Sequence, residues 1–115
     1  MSLTVLMLVN RLNIGGTETH VLSFAKQLKK EGVDVIIGTG GGPLEPLFVD
    51  SGLEIAHLPF ETDNPVYSEY KLLLEKTKLL VQERNVNLIH AHSIAALKVG
   101  VQVSDEPWYP APQPF

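Results

Sequence analysis

Nine residues near the amino terminus, Asn10-Arg11-Leu12-Asn13-Ile14-Gly15-Gly16-Thr17-Glu18, have the types and order needed to hold an anion. An apolar run precedes them at 3–9 and an amphipathic stretch begins at Val21, so the segment reads as strand, Gly-Gly turn and capped helix start. Such a junction aims backbone N–H groups and the positive end of a helix at one point, which suits a phosphate. Gly15 and Gly16 lack the side chains that would keep a ligand off the backbone. Thr17 is a good N-cap, because its hydroxyl can accept a bond from a free N–H of the first turn. A Gly-Gly turn before a helix is also simply a tight turn, and that alternative stands beside the first. The second place is Leu88-Ile89-His90-Ala91-His92-Ser93, where two imidazoles two residues apart share one face of a strand. His90 and His92 lack a third ligand at recognisable spacing, so no metal site is expected. His92 is the candidate for chemistry, with capping of the following helix or bonding to backbone as its alternative. His90 and His57 read as structural.

These residues need elements to position them, and the hydrophobic pattern supplies a regular series. Residues 4–9 form a continuous apolar run, as in a strand buried on both faces of a parallel sheet. Val21, Leu22, Phe24, Ala25 and Leu28 recur at helical spacing with Lys26, Lys29 and Lys30 opposite, and Gly32 supplies a left-handed cap. A second strand is expected at 33–37, then the run Gly38-Thr39-Gly40-Gly41-Gly42-Pro43, which reads as a flexible turn before a short helix marked by Leu44, Leu47 and Phe48. Gly52 closes that helix and a third strand follows at 54–58. Beyond the loop 59–65, Tyr70, Leu73, Leu74, Thr77, Leu80 and Val81 mark a long amphipathic helix. A fourth strand covers 87–91, and Ser93 can cap a last helix running to about residue 103. Alternation on this scale implies parallel strands joined by helical crossovers, hence an α/β fold with an open doubly wound parallel sheet of about four strands in the order 3-2-1-4. Ligands of such sheets gather at the carboxyl ends of the strands beside the switch point, here between strands one and four. The loops 10–17 and 90–93 both emerge there.

Bulk properties narrow the function. At 115 residues, with 44% hydrophobic and 19% charged residues, the chain is one globular domain rather than a disordered segment. A net charge of −4 argues against a nucleic-acid partner. Lys26, Lys29 and Lys30 form a cluster better read as a solvated helix face than as a membrane anchor. No apolar run reaches the ~20 residues of a membrane span, and there is no cysteine for a disulfide or thiolate site. A cytoplasmic protein, at most peripheral at a membrane, is the expectation. A dinucleotide enzyme would need Gly-x-Gly-x-x-Gly after strand one and an acidic residue ending strand two. Here the first loop offers only Gly15-Gly16, and strand two ends in Ile37-Gly38-Thr39-Gly40; no Gly-Lys-Ser/Thr phosphate loop occurs either.

The run Val5-Leu6-Met7-Leu8-Val9, then Gly15-Gly16-Thr17-Glu18-Thr19-His20-Val21, then Leu88-Ile89-His90-Ala91-His92-Ser93, resembles the amino-terminal domain of retaining GT-B glycosyltransferases of family four. The likeness extends from about residue 4 to 103. In that family two Rossmann-like domains face each other across a cleft; the first mainly binds the acceptor and the second holds most of the nucleotide-sugar donor. The resemblance implies that Gly15 and Gly16 sit against the donor diphosphate, and that His92 is the catalytic histidine contacting the donor sugar. It implies acceptor contacts at Arg11, Thr17, Glu18 and His20. Each of these has a plainer alternative, Glu18 as a complement to the helix dipole and Arg11 as an exposed loop residue. No cofactor is implied. The partners would be a nucleotide-diphosphate sugar and an acceptor that is a sugar, a lipid or a small molecule.

The chain departs from the family in length. The second domain, with its Glu-x7-Glu pair, is absent; Glu61 with Glu69 and Glu75 with Glu83 show that spacing but lie in the third crossover. Residues 1–103 are therefore expected to form a truncated GT-B amino-terminal, acceptor-side domain and 104–115 an extended tail. That tail holds Pro107, Pro110, Pro112 and Pro114 with the sole Trp. Strand four would be an edge, open to self-association or to cover by the tail. The expected function is the amino-terminal portion of a glycosyltransferase that moves a sugar to an acceptor hydroxyl with retention, inactive as this fragment alone. A stand-alone phospholigand-binding module, or an interaction protein using the Pro-rich tail, is the alternative.

Overall fold

The computed structural model describes residues 3–13, 16–60, 67–92 and 99–103. Along the chain run β1 (Thr4–Leu8), α1 (Gly16–Lys30), β2 (Asp34–Thr39), α2 (Glu45–Asp50), β3 (Glu54–His57), α3 (Tyr67–Arg84) and β4 (Leu88–Ala91), and residues 99–103 are again helical. The four strands form one parallel sheet in the order β3-β2-β1-β4, as the alternating pattern requires. Central β1, with the sequence TVLML, is buried along its whole length, whereas β3 and β4 at the two ends of the order are partly exposed.

Alternation along β1 splits the core into two layers. Val5 and Met7 join Val35, Ile37, Val21 and Ala25 of α1, and Phe48 of α2. Leu6 and Leu8 join Ile36, Ile89, Leu73 and Val81 of α3, and Val99 and Val103. Each fully buried side chain of this size removes apolar surface worth about 1.5–3 kcal/mol, so both faces of the sheet must stay covered. Helix α3 presents Leu73, Thr77 and Val81 at four-residue intervals, all buried. The one hydroxyl among them is satisfied within the helix, Thr77 Oγ1 donating to the Leu73 carbonyl at 2.7 Å. Helix α1 ends as its sequence dictates. Gly32 takes φ +89°, and the N–H groups of Gly32 and Val33 return to the carbonyls of Lys29 and Leu28, each at 3.0 Å.

Four expectations need correction. Thr17 is the second residue of α1, so it lies inside the helix rather than at its N-cap. Phe24 is not a core residue of α1 but stands 45% exposed, in a T-shaped contact with the His90 ring of β4. Strand β2 continues through Gly38 to Thr39. The glycine run beyond it is a packed junction and not a flexible turn. Gly40 donates to the Asn10 carbonyl at 2.9 Å, and a Cβ on it would lie 2.4 Å from the Phe60 carbonyl oxygen. Only a residue without a side chain fits that approach. Residues 61–65 of the expected loop 59–65, the Ser93 cap and the extended tail at 104–115 lie outside the described residues.

Candidate functional site

The chain leaves β1 through a short segment held on both sides. Val9 N–H donates to the Gly38 carbonyl and Leu12 N–H to the Gly41 carbonyl, both at 3.0 Å, while Leu44 N–H donates to the Leu12 carbonyl at 2.9 Å. Thr39 Oγ1 ties the same corner together, accepting from Gly41 N–H at 3.2 Å and approaching the Asn10 carbonyl at 3.4 Å. Leu12 is fully buried as the plug of this junction. The β2–α2 loop thus braces the β1–α1 segment, and Arg11 and Asn13 project from it exposed. Helix α1 then opens at Gly16. The first N–H groups of a helix have no partner within it, so this end carries the partial positive charge that an anion needs. Glu18 is half-buried in the first turn and His20 is exposed. Gly15 lies outside the described residues, as does the side chain of Thr17.

The second loop leaves β4 next to β1. The register Leu8↔Ala91 puts His92 beside Val9, and His92 N–H donates to the Leu8 carbonyl at 3.0 Å, extending the pairing by one residue. The sheet therefore brings His92 and the start of the β1–α1 segment together at the switch point, as expected from the strand order. The His92 ring is half-buried, and its Nε2 atom is buried without a hydrogen-bond partner among the described residues. Burial is the main force holding its pKa below the usual 6.5, and the charge of His90 acts in the same direction. At neutral pH His92 is a neutral imidazole with one donor and one acceptor nitrogen, suited to a hydroxyl or a phosphate oxygen. The His90 ring lies against it, with centroids 4.2 Å apart and planes inclined by 46°.

One pair escaped the sequence reading. His57 stands at the carboxyl end of β3, exposed, with Nε2 2.8 Å from Glu45 Oε1 of α2. It belongs to the carboxyl edge of the sheet rather than to the core, but it is three strands away from β4, about 14 Å at ordinary strand spacing. A twelve-residue separation across a turn gives no local signal for such a pair. Among the described residues no group of three His, Asp or Glu side chains gathers as a metal site, and no helix is long and apolar enough to cross a membrane.

An open parallel sheet in the order β3-β2-β1-β4 with helices packed on it defines a doubly wound, Rossmann-like α/β protein. The family is more specific. Residues 14–104 match the profile of Glycosyltransferase Family 4, and the chain belongs to that family. The fold is also similar to that of a glycosyltransferase from Rickettsia africae ESF-5, with a TM-score of 0.74 at 20% identity over 90% of this chain. The match spans 27% of that protein's length. No curated protein sequence matches the chain.

Proposed function

We infer that this chain is the acceptor-side, GT-B amino-terminal portion of a retaining glycosyltransferase that uses a nucleotide-diphosphate sugar. The observation that carries this reading is the orphaned Nε2 of His92, buried beside the segment that leads into α1. A buried imidazole nitrogen without a partner costs about 1–3 kcal/mol, a cost that a ligand oxygen at that position removes. Family membership supplies the chemistry. Transfer breaks the bond between the sugar and the diphosphate and leaves negative charge on the departing group. In this reading Gly15, Gly16 and the N–H groups at the start of α1 stabilise that charge. His92 contacts the donor sugar, and Arg11, Thr17, Glu18 and His20 face the acceptor. Since the matched glycosyltransferase is several times longer than the shared region, base recognition and closure over the donor fall to a second domain outside these 115 residues, and the chain by itself does not turn over.

The test is an amide-resolved NMR titration of the chain with several nucleotide-diphosphate sugars, with NAD as control. Selective shifts at Gly16 and His92 with a nucleotide sugar, absent with NAD, are the expected result. Equal responses to NAD and to simple phosphate would instead favour a phospholigand-binding module. Unchanged resonances at both places with every compound would overturn the donor half-site.

A further inference from the structure

His92 is fixed along its backbone by the bond to Leu8 and by the β1–β4 register. Nothing in that pairing sets the rotation of its ring. Among the described residues the ring also has no hydrogen-bond partner at Nε2 to orient it, although a donor or acceptor partner is the usual way a working imidazole is held in one tautomer. What touches the ring is another aromatic ring. His90 lies two residues earlier on the same face of β4, opposite Met7 of β1, with its centroid 4.2 Å from that of His92. The His90 ring also makes a T-shaped contact with Phe24 of α1, at 5.5 Å and 87°. Edge-to-face contact at this distance is the favoured arrangement of aromatic rings. It also accounts for a phenylalanine left 45% exposed on the helix.

We propose that His90 is a positioning residue for His92, and that Phe24, His90 and His92 form a column in which the helix α1 fixes the ring orientation of the site imidazole. The column substitutes ring packing for the missing hydrogen bond. It leaves Nε2 of His92 without a partner among the described residues while keeping the ring in one rotamer, which is the preorganisation a sugar or phosphate oxygen requires. It also couples the two candidate elements of the site. The helix whose N-terminus meets the anion is the helix that sets the imidazole, through Phe24 two turns further on. The functional weight of this device rests on the donor role proposed for His92, but the packing claim is testable without any ligand.

The experiment is NMR of the histidine side chains in the free chain, reading the ring nitrogen shifts, the tautomer and the ring-to-ring NOEs of His92. The wild-type chain is expected to show one tautomer and NOEs from His90 to both Phe24 and His92. His90→Ala is expected to lower the population of the held orientation roughly 2- to 12-fold, the range that the strength of an aromatic pair implies. His90→Phe, which keeps a ring, is expected to restore it. Phe24→Ala alters a half-exposed side chain and is expected to give a smaller change of the same kind. If His90→Ala retains the native amide spectrum and leaves the His92 signals unchanged, the proposal is wrong. If His90→Ala does not fold, Phe24→Ala decides in the same way. Failure of the nucleotide-sugar titration with these ring signals intact would remove the donor reading and leave the column standing.

Discussion

Both ends of the sheet pair polar groups, but at the carboxyl end a buried side-chain nitrogen is left without a partner among the described residues. At the amino end the polar groups pair with one another. Arg84 at the end of α3 forks onto Glu54 at the start of β3, its Nη2 at 2.8 Å from Oε1 and its Nη1 on Oε2. That contact raises the guanidinium pKa further above its ordinary range, the hydrogen bond to Glu54 being the main cause. Lys29 at the end of α1 reaches the Gly52 carbonyl in the turn before β3. Asn87 clasps β1, accepting from Thr4 N–H at 2.7 Å and donating its own N–H to the Thr4 carbonyl at 2.8 Å. The pocket among Lys29, Asp34, Gly52, Glu54 and Arg84 thus contains two pairs that already satisfy each other, Lys29 with the Gly52 carbonyl and Arg84 with Glu54. At the carboxyl end the β2–α2 loop pins the β1–α1 segment just as firmly, but the imidazole beside it has a buried nitrogen without a partner among the described residues. The amino end holds the fold closed, and the carboxyl end carries a buried side-chain nitrogen that has no partner among the described residues.

The sharpest way to break this contrast is to damage the support of the open end. Gly40→Ala puts a methyl group against the Phe60 backbone, which cannot yield as a side chain would. A loss of about 1–3 kcal/mol or more is expected in guanidinium unfolding. A stability within a few tenths of wild type would mean that the glycine run is soft after all. At the closed end, Asn87→Ala leaves Thr4 N–H without its partner and is expected to cost about 1–2 kcal/mol. No change in nucleotide-sugar shifts should accompany that loss. A variant that altered ligand shifts as strongly as it altered stability would erase the distinction between the two ends. The smallest effect is the dependence of stability on pH. Folded His92 has a pKa below 6.5, and unfolding returns it to that value, so the unfolded chain binds more protons between the two. Its contribution is complete above 6.5 and is lost as the pH falls through that window towards the folded value. His92→Gln is expected to flatten this acid-side decline in urea midpoints taken between about pH 7.5 and about pH 5. Parallel curves for the two proteins would show that burial of His92 is not felt in folding.

Much of the scaffold is legible in the chain because it rests on short periods. The four strands, the buried line Leu73, Thr77 and Val81, and the glycine at the end of α1 follow from repeats of two or 3.6 residues and from one backbone angle. The strand order follows as well, since alternating strands and helices leave few ways to cover both faces of a sheet. The meeting of the loops after β1 and β4 is a consequence of that order. The exact start of α1 was less legible, because Gly16 and Thr17 both suit a helix entry and differ by a single residue.

What the sequence by itself determined is therefore the set of elements, their order in the sheet and the sheet edge to which the proposed site is assigned. Only the tertiary structure decided how that edge is held. The bracing of Asn10 and Leu12 by residues 38–44, the His57–Glu45 pair and the ring contacts from Phe24 through His90 to His92 all join positions far apart in the chain or on different elements. Their energies depend on distances of a few ångströms that no local pattern encodes. A glycine looks the same in a flexible turn and under a carbonyl oxygen, and a phenylalanine at helical spacing looks the same whether it meets the core or one imidazole ring.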